Sequence, residues 1–414
     1  MRQVLLREVR MSLGFDETAP PGVGKRQNAR RVPLDERASV LLSVHTEFST
    51  VEAIWRQFEK TADCFAFQGF DFLETWYEHI GVRDNFEIQI VVAWDISAKP
   101  LMILPLGIET SGFVRSLTWL GKGVADYNAP LLAPGFTDRV APGEFSRVWD
   151  DIVAALPSHD LIELLYQPAE IERQANPFME LATELNASGA HMTMLGVDFD
   201  AYYKEKRNAK ARSHLRNRRK KLEALGEIAF VQPDTEEELY LSIEKLVELK
   251  TASLNAMGAK NFLMQPGYES FYTSLATKLT NIGGVHVSHL EVGGEYVAGI
   301  WGLVHKQRFY YLLASYDGPT YGSYKPGVQA LVETMRWATG QGIKTFDFTV
   351  GDESYKSKWC EIHIDLHNHL AAKTFRGSIA LLKTRLFLSA KRKIKQTPVL
   401  WDSFTKLRSR FLAR

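Results

Sequence analysis

Apolar residues along this chain recur first at helical spacing and then in short continuous or alternating runs. Val51 to Cys64 reads as an amphipathic helix. Phe70 to Ile80 (FDFLETWYEHI) reads as another, with Phe72, Leu73, Trp76 and Ile80 at helical spacing. Three strand-like runs follow, at Phe86 to Trp94, Leu101 to Glu109 and Arg115 to Leu120; the turn between the first two contains Lys99-Pro100. A polar loop with two glycines, Gly121 to Asn128, leads to a helix at Phe145 to Leu156. A short buried strand at Asp160 to Tyr166 closes the first half.

The second half repeats that style. Glu236 to Ala256 and Pro266 to Thr280 are predicted helices. Val285 to Val292 alternates like a strand, Gly293-Gly294 signals a hairpin turn, and Tyr296 to His305 and Arg308 to Ser315 are further strands. A helix at Gly327 to Gly340 carries Leu331, Met335 and Ala338 on one face. Lys344 to Phe348 is a strand ending at Thr349-Val350-Gly351. Both halves run helices, strand hairpin, polar loop, helix, strand, although no repeat shows at the level of residues. That order predicts an α/β fold with a mixed sheet.

Three segments break the pattern. Residues 1–38 carry Pro20, Pro21, Gly22, Gly24, Arg30 and Arg31 with little periodicity, and are expected to be poorly ordered. Lys204 to Lys221 (KEKRNAKARSHLRNRRKK) holds ten Lys or Arg and one Glu. Leu215, Leu222 and Leu225 make it helix-compatible, and Gly226 is placed as a C-cap. This run suits either phosphate binding on a nucleotide, a tRNA acceptor end or an anionic lipid-linked substrate, or a solvated helix face. The tail 373–414 is basic, with Phe375, Ile379, Leu382, Leu386, Ala390 and Ile394 at helical spacing. It reads as a membrane-surface helix or as one docked on the protein. The expected domains are therefore 39–195 and 196–372, flanked by the segment 1–38 and the tail 373–414.

Composition changes this picture little. With 414 residues, 45% hydrophobic and 24% charged, the chain has material for two cores. A net charge of +1 excludes global steering to nucleic acid or membrane. Cys64 and Cys360 are isolated, so no disulfide framework or zinc spacing is present and no metal is expected. The first residues lack the roughly 7–15 apolar positions of a secretory signal, and no run reaches the roughly 20 of a membrane span. A cytoplasmic protein is expected, with contact to the inner membrane face through the basic tail.

Two segments carry candidate chemistry. In Tyr321 to Gln329 (YGSYKPGVQ) a strand ends and Pro326-Gly327 opens a helix, whose free N–H groups and dipole favour an anion beside Lys325. The plainer alternative is a proline-initiated helix. In Phe346 to Trp359 (FDFTVGDESYKSKW) a strand delivers Asp347. Gly351 then permits a bend, and Asp352, Glu353, Tyr355, Lys356 and Trp359 follow within one loop. Such a loop beyond a strand end is either a ligand site or a solvated turn. His363, His367 and His369 cluster near Asp365 without a clear ligand spacing. No GxSxG, P-loop or dinucleotide fingerprint occurs.

These residues resemble a known family. Ala314-Ser315-Tyr316-Asp317, Pro326-Gly327, Phe346-Asp347-Phe348 and Gly351 to Trp359 (GDESYKSKW) look like the signature of the CelD-like branch of GNAT-fold acetyltransferases, which is similar to the FemAB/FemX peptidyltransferases. Trp76 and Ala125 to Leu131 (ADYNAPL) resemble the first domain of that branch, and Arg212 to Leu222 its inter-domain segment. The resemblance spans roughly residues 55–370. It implies tandem GNAT-like domains, each a mixed twisted sheet flanked by helices. It also implies acyl transfer from acetyl-CoA or another acyl-CoA to an amine or hydroxyl of a small-molecule, saccharide or lipid-linked acceptor, in envelope, cellulose or exopolysaccharide assembly. Gly322-Ser323-Tyr324-Lys325-Pro326-Gly327 departs from the usual Gln/Arg-x-x-Gly-x-Gly/Ala phosphate loop, so an aminoacyl-tRNA donor stands as the alternative. A non-catalytic scaffold of an envelope-synthesis complex is the third.

Under this resemblance Tyr324, Lys325, Pro326, Gly327, Val328 and Gln329 would hold the CoA pyrophosphate. Asp352, with Asp317 as substitute, would be the base, Lys356 would steady the oxyanion and Tyr355 would protonate the thiolate. Asp126, Tyr127, Arg212, Arg216, Tyr316 and Trp359 would contact the substrates.

Overall fold

The computed structural model describes residues 40–396, which divide into two units. The first holds residues 40–77, Gly81–Leu185 and Leu366–Leu386. The second holds Glu78–Ile80, Asn186–Asp365 and the described residues from Phe387 onward. The segment 1–38 and the end of the tail, from Thr397, lie outside the described residues.

In the first unit the strands are β1 (Leu41–His45), β2 (Phe86–Trp94), β3 (Pro100–Ser111), β4 (Val114–Trp119), β5 (Leu131–Leu132) and β6 (Leu161–Pro168), a small pair β7 (Glu170–Ile171) and β8 (Gln174–Ala175), and β9 (Thr183–Leu185). Its helices are α1 (Glu52–Glu59), α2 (Phe70–Trp76), α3 (Phe136–Arg139) and α4 (Phe145–Ala155). The second unit has β10 (Ala190–Met194), β11 (Ile228–Val231), β12 (Val285–Val292), β13 (Glu295–His305), β14 (Arg308–Tyr316), β15 (Thr345–Val350) and β16 (Ile362–Ile364). With them run α5 (Phe199–Lys206), α6 (Ala209–Glu223), α7 (Glu236–Ala256), α8 (Tyr268–Thr280), α9 (Gly318–Tyr321) and α10 (Pro326–Gly340). β17 (Leu366–Ala372) and α11 (Phe375–Gln396) follow.

The first sheet has the order β1-β2-β3-β4-β6-β17-β9, with β5 on β3. The second has the order β11-β12-β13-β14-β15-β10-β16. Each is antiparallel except at one step, β4 beside β6 and β14 beside β15. The predicted α/β duplication is therefore present at the level of topology. β2, β3 and β13 are buried on both faces, as their unbroken apolar runs require. Trp55, Phe70 and Trp76 fill the first core, while Ile300, Phe309, Met335 and Phe346 lie at the centre of the second.

The domain limits differ from those expected. β10 lies before residue 195 yet pairs with β15 and β16 in the second sheet. β17 lies before residue 372 yet pairs with β6 and β9 in the first. Periodicity identifies a strand but not its neighbour, so the exchange was not readable. The basic run is two helices rather than one. The first ends at Lys206 with Arg207 as its cap, and Asn208 caps the second, its side chain accepting from the Ala211 N–H at 2.8 Å. Gly226 does follow α6, for reasons of space: a Cβ there would lie 2.7 Å from the Gly293 backbone.

Candidate active site at the opened strand pair

The parallel ladder between β14 and β15 is short. Arg308, Phe309 and Tyr310 pair with Thr345, Phe346 and Asp347, and no pair follows. β15 then bends. Thr349 adopts φ +57°, a left-handed conformation unusual for a β-branched residue. Asp347, fully buried, holds this bend by accepting the Thr349 N–H at 2.8 Å. Past the bend, β14 and β15 share no backbone hydrogen bonds, and side chains reach their carbonyls instead.

One of those side chains was missed in the sequence. Lys250 on α7 donates to the Ala314 carbonyl of β14 at 3.2 Å. Burial pushes its ammonium below the ordinary lysine range, while Glu353 pulls the other way. The signal was available: Leu239, Ile243, Leu246, Val247 and Leu254 form the buried stripe of α7, and Lys250 falls on that stripe at i+4 from Leu246. A lysine in an apolar stripe needs a reason.

The loop after β15 is tightly fastened. Gly351 takes φ +128°, and a Cβ there would meet the Glu353 carboxylate at 2.6 Å. Lys356 is buried, and its ammonium donates to the Thr349 and Val350 carbonyls at 3.2 and 3.0 Å. It also meets Glu353 at 3.0 Å. An ammonium has three hydrogens, so none remains for a substrate oxygen, and Lys356 holds the loop rather than an oxyanion. Tyr355 packs edge-on against Phe348, with ring centroids 6.0 Å apart. Burial of its hydroxyl near Tyr311 and Glu353 pushes its pKa up, so it stays protonated and can donate. Asp352 points its Oδ1 at His191 Nε2, 3.2 Å away, and its side chain is 41% exposed. Trp359 is buried, stacked on Tyr203 at 6.1 Å, with the Arg207 guanidinium 5.0 Å from its ring centroid. It is therefore a core residue and not an open face for a sugar.

The helix that follows β14 opens as expected. Lys325 sits at φ +58° before Pro326, and the Val328 and Gln329 N–H groups return to the Lys325 carbonyl. The Gly327 N–H has no such return. Gln329 is buried, with Nε2 on the Tyr324 carbonyl and Oε1 unbonded. The Tyr316 ring lies over Gly327, where a Cβ would be 2.8 Å from it. Asp317 does not face this opening as a free base; it caps α9 by accepting the Thr320 N–H at 3.0 Å. α6 adjoins the same loop, since Leu222 packs with Tyr321 and Tyr324. Arg212 is spent on the Lys204 and Arg207 carbonyls, whereas Arg216 is exposed.

The first unit places its expected residues differently. Tyr127 is fully buried against Phe65 and Phe67 and cannot touch a substrate, and Asp126 is half-buried near Tyr166. Among the described residues no group of three His, Cys, Asp or Glu is placed to hold a metal ion. No described helix is long and apolar enough to cross a membrane.

Residues 209–357 match the family model of the acetyltransferase (GNAT) domain. No curated protein matches the chain. Among solved structures, FemX is similar with TM-score 0.51 at 10% identity, over 80% of this chain and 94% of that one. The C-terminal domain (DUF2156) of a putative lysylphosphatidylglycerol synthetase from Agrobacterium fabrum is 12% identical with TM-score 0.49, over 83% and 99% of the two chains. L-PGS from Bacillus licheniformis is also 12% identical with TM-score 0.49, over 83% and 98%. At such identities the FemX likeness is one of fold. The segment matched as an acetyltransferase domain runs from α6 to Ser357 and takes in β14, α10, β15 and the loop that Lys356 fastens.

Proposed function

We propose that this protein is an acyltransferase that moves an acyl group, acetyl in the first instance, from acyl-CoA to an amine or hydroxyl acceptor. The observation that carries the reading is the coincidence of two features inside the matched segment: the parallel pair that ends after Tyr310 and Asp347, and the helix start beside it with Lys325 and the unreturned Gly327 N–H. A thioester lying along the opened edge of β14 would send its pyrophosphate to that helix start. Tyr324, Val328 and Gln329 complete the turn there.

The acceptor oxygen or nitrogen attacks the thioester carbonyl carbon, the new C–O or C–N bond forms, and the C–S bond breaks. Its proton goes to Lys250, which we assign as base in preference to Asp352, because Asp352 faces His191 and solvent while Lys250 is desolvated at the opened edge. Tyr355 donates a hydrogen bond to the departing thiolate, and the proton taken up by Lys250 is the one that passes to that sulfur. Envelope or exopolysaccharide assembly is the pathway suggested by the resemblance of Ala125 to Leu131 and Gly351 to Trp359.

A second reading, transfer from an aminoacyl-tRNA, is favoured by α6, whose exposed Arg216 and Lys220 run beside the Tyr321–Tyr324 loop. Thermal shift against acetyl-CoA, longer acyl-CoAs and free CoA separates the two. A rise in Tm with acyl-CoA is expected. No rise with any acyl-CoA, together with salt-sensitive retention of charged tRNA, would sink the first reading in favour of the second.

A further inference from the structure

α11 exposes Phe375, Ile379, Leu382, Leu386 and Phe387, while Leu381 and Leu388 are half-buried. Gly377 rests on the backbone of Asp160, where a Cβ would come within 1.8 Å of the Asp160 carbonyl oxygen. The Thr374 hydroxyl donates to Asp160 Oδ1 at 2.6 Å and accepts the Gly377 N–H at 3.1 Å. Arg385 pairs with Glu184 at 2.7 Å. These fastenings fix which face of the helix turns inward. Phe375, Ile379, Leu382 and Leu386 then face outward, exposed by 82%, 47%, 60% and 62%.

Those four lie at i, i+4, i+7 and i+11, so they form one stripe along three turns. At about 100° per residue, Arg376 and Lys383 fall roughly 80–100° to one side of the stripe and Arg385 about as far to the other. No Asp or Glu occurs from Phe375 to Gln396. Exposed large apolar residues, with the cations Arg376 and Lys383 along one flank and Arg385 on the other already paired with Glu184, suit an interface plane between water and hydrocarbon. A solvated helix would show the reverse pattern, and a buried one would turn the stripe in.

We propose that α11 seats this protein on an anionic lipid surface, with Phe375, Ile379, Leu382 and Leu386 entering the acyl boundary and Arg376 and Lys383 meeting lipid phosphates. A second copy of the chain is the rival occupant. This inference is independent of the reaction proposed above.

The test is cosedimentation of the full chain with vesicles of phosphatidylcholine alone and of phosphatidylcholine mixed with phosphatidylglycerol. Binding is expected only to the mixed vesicles. Ile379→Glu and Leu382→Glu are each expected to lower the apparent affinity about tenfold or more, because each puts a charge where a side chain must enter hydrocarbon. Both side chains point outward, so Tm should hold; a Lys383→Gln variant gives a milder second reading with no new charge. The proposal is overturned if the intact chain stays with the supernatant in both mixtures or if the Glu variants sediment like the parent. It is also overturned if gel filtration shows a dimer that Leu382→Glu converts to monomer.

Discussion

The two units share one frame and fill its strand opening with different groups, neutral in the first and charged in the second. In the first, β4 and β6 pair in parallel over Ser116–Leu161, Leu117–Ile162 and Thr118–Glu163, and Tyr166 then bends at φ +59°. In the second, β14 and β15 do the same, with Thr349 at φ +57°. The first opening is filled by the chain itself. Asn128 donates its backbone N–H to the Tyr166 carbonyl at 3.0 Å and its side-chain amide to Leu165 at 3.1 Å. The helix that follows, α4, has its first N–H on the Glu180 carboxylate at 3.2 Å. Both polar openings of the first unit are thus satisfied internally. In the second unit the strand ends are met by charged groups instead, Lys356 on the Thr349 and Val350 carbonyls and Lys250 on Ala314, and the helix start carries Lys325 and no acid in its first turn. Topology alone therefore does not mark an active site; what occupies the opening does.

The comparison can be broken at several points. The largest effect is expected at Lys250. Lys250→Met should lower kcat by about 10²–10⁴, the usual share of a general base. In the parent, the rate should rise with pH through a limb below the ordinary lysine value, because burial favours the neutral amine, and the variant should lose that limb. An unchanged kcat in folded Lys250→Met removes it from the chemistry.

Next comes the helix start. Gly327→Glu sets a carboxylate at the N-terminus of α10 and presses on the Tyr316 ring. KM for acyl-CoA should rise by roughly tenfold to a hundredfold. Glu180→Gln in the first unit should leave KM alone, and equal effects at both helices would erase the contrast.

Asn128→Ala should do the converse, costing about 1–3 kcal/mol of stability by stripping the Leu165 carbonyl of its donor, without changing kcat per folded molecule. Denaturant unfolding checks the first part and steady-state kinetics the second.

A pH slope gives a further check. His286, buried on Trp337 with ring centroids 3.7 Å apart, has its pKa pushed by burial from 6.5 to about 3. Above pH 6.5 neither state of the chain binds this proton, and stability is flat on its account. Below that the unfolded chain takes a proton the folded one refuses. Stability then falls by about 1.4 kcal/mol per pH unit until about pH 3. Urea titrations from neutral to acid pH should show the slope, shallower in His286→Gln.

Much of the frame was legible. The helices and the three long strands of each half showed in the spacing of Leu, Ile, Val and aromatic residues, because burial imposes that spacing directly. The loop at Gly351 was legible as a constellation, but its division of labour was not. Lys356 and Trp359 looked like chemistry, and burial makes one a clamp and the other a core ring. Tyr127 looked like a substrate contact and is packing. Lys250 looked like an ordinary helix lysine, because its importance lies in the Ala314 carbonyl, sixty-four residues away in sequence. Hydrogen bonds across such separations leave no local trace. Strand exchange is hidden for the same reason, since β10 and β17 carry no mark of the sheet they join.

That exchange also bears on the order in which the molecule is made. β17 stands between β6 and β9, so the first sheet lacks an interior strand until the ribosome has passed residue 372. The unit translated first is completed last. β6 must wait with a bare edge while the whole second unit emerges, which makes that edge the place where a nascent chain is most open to mispairing or to a chaperone.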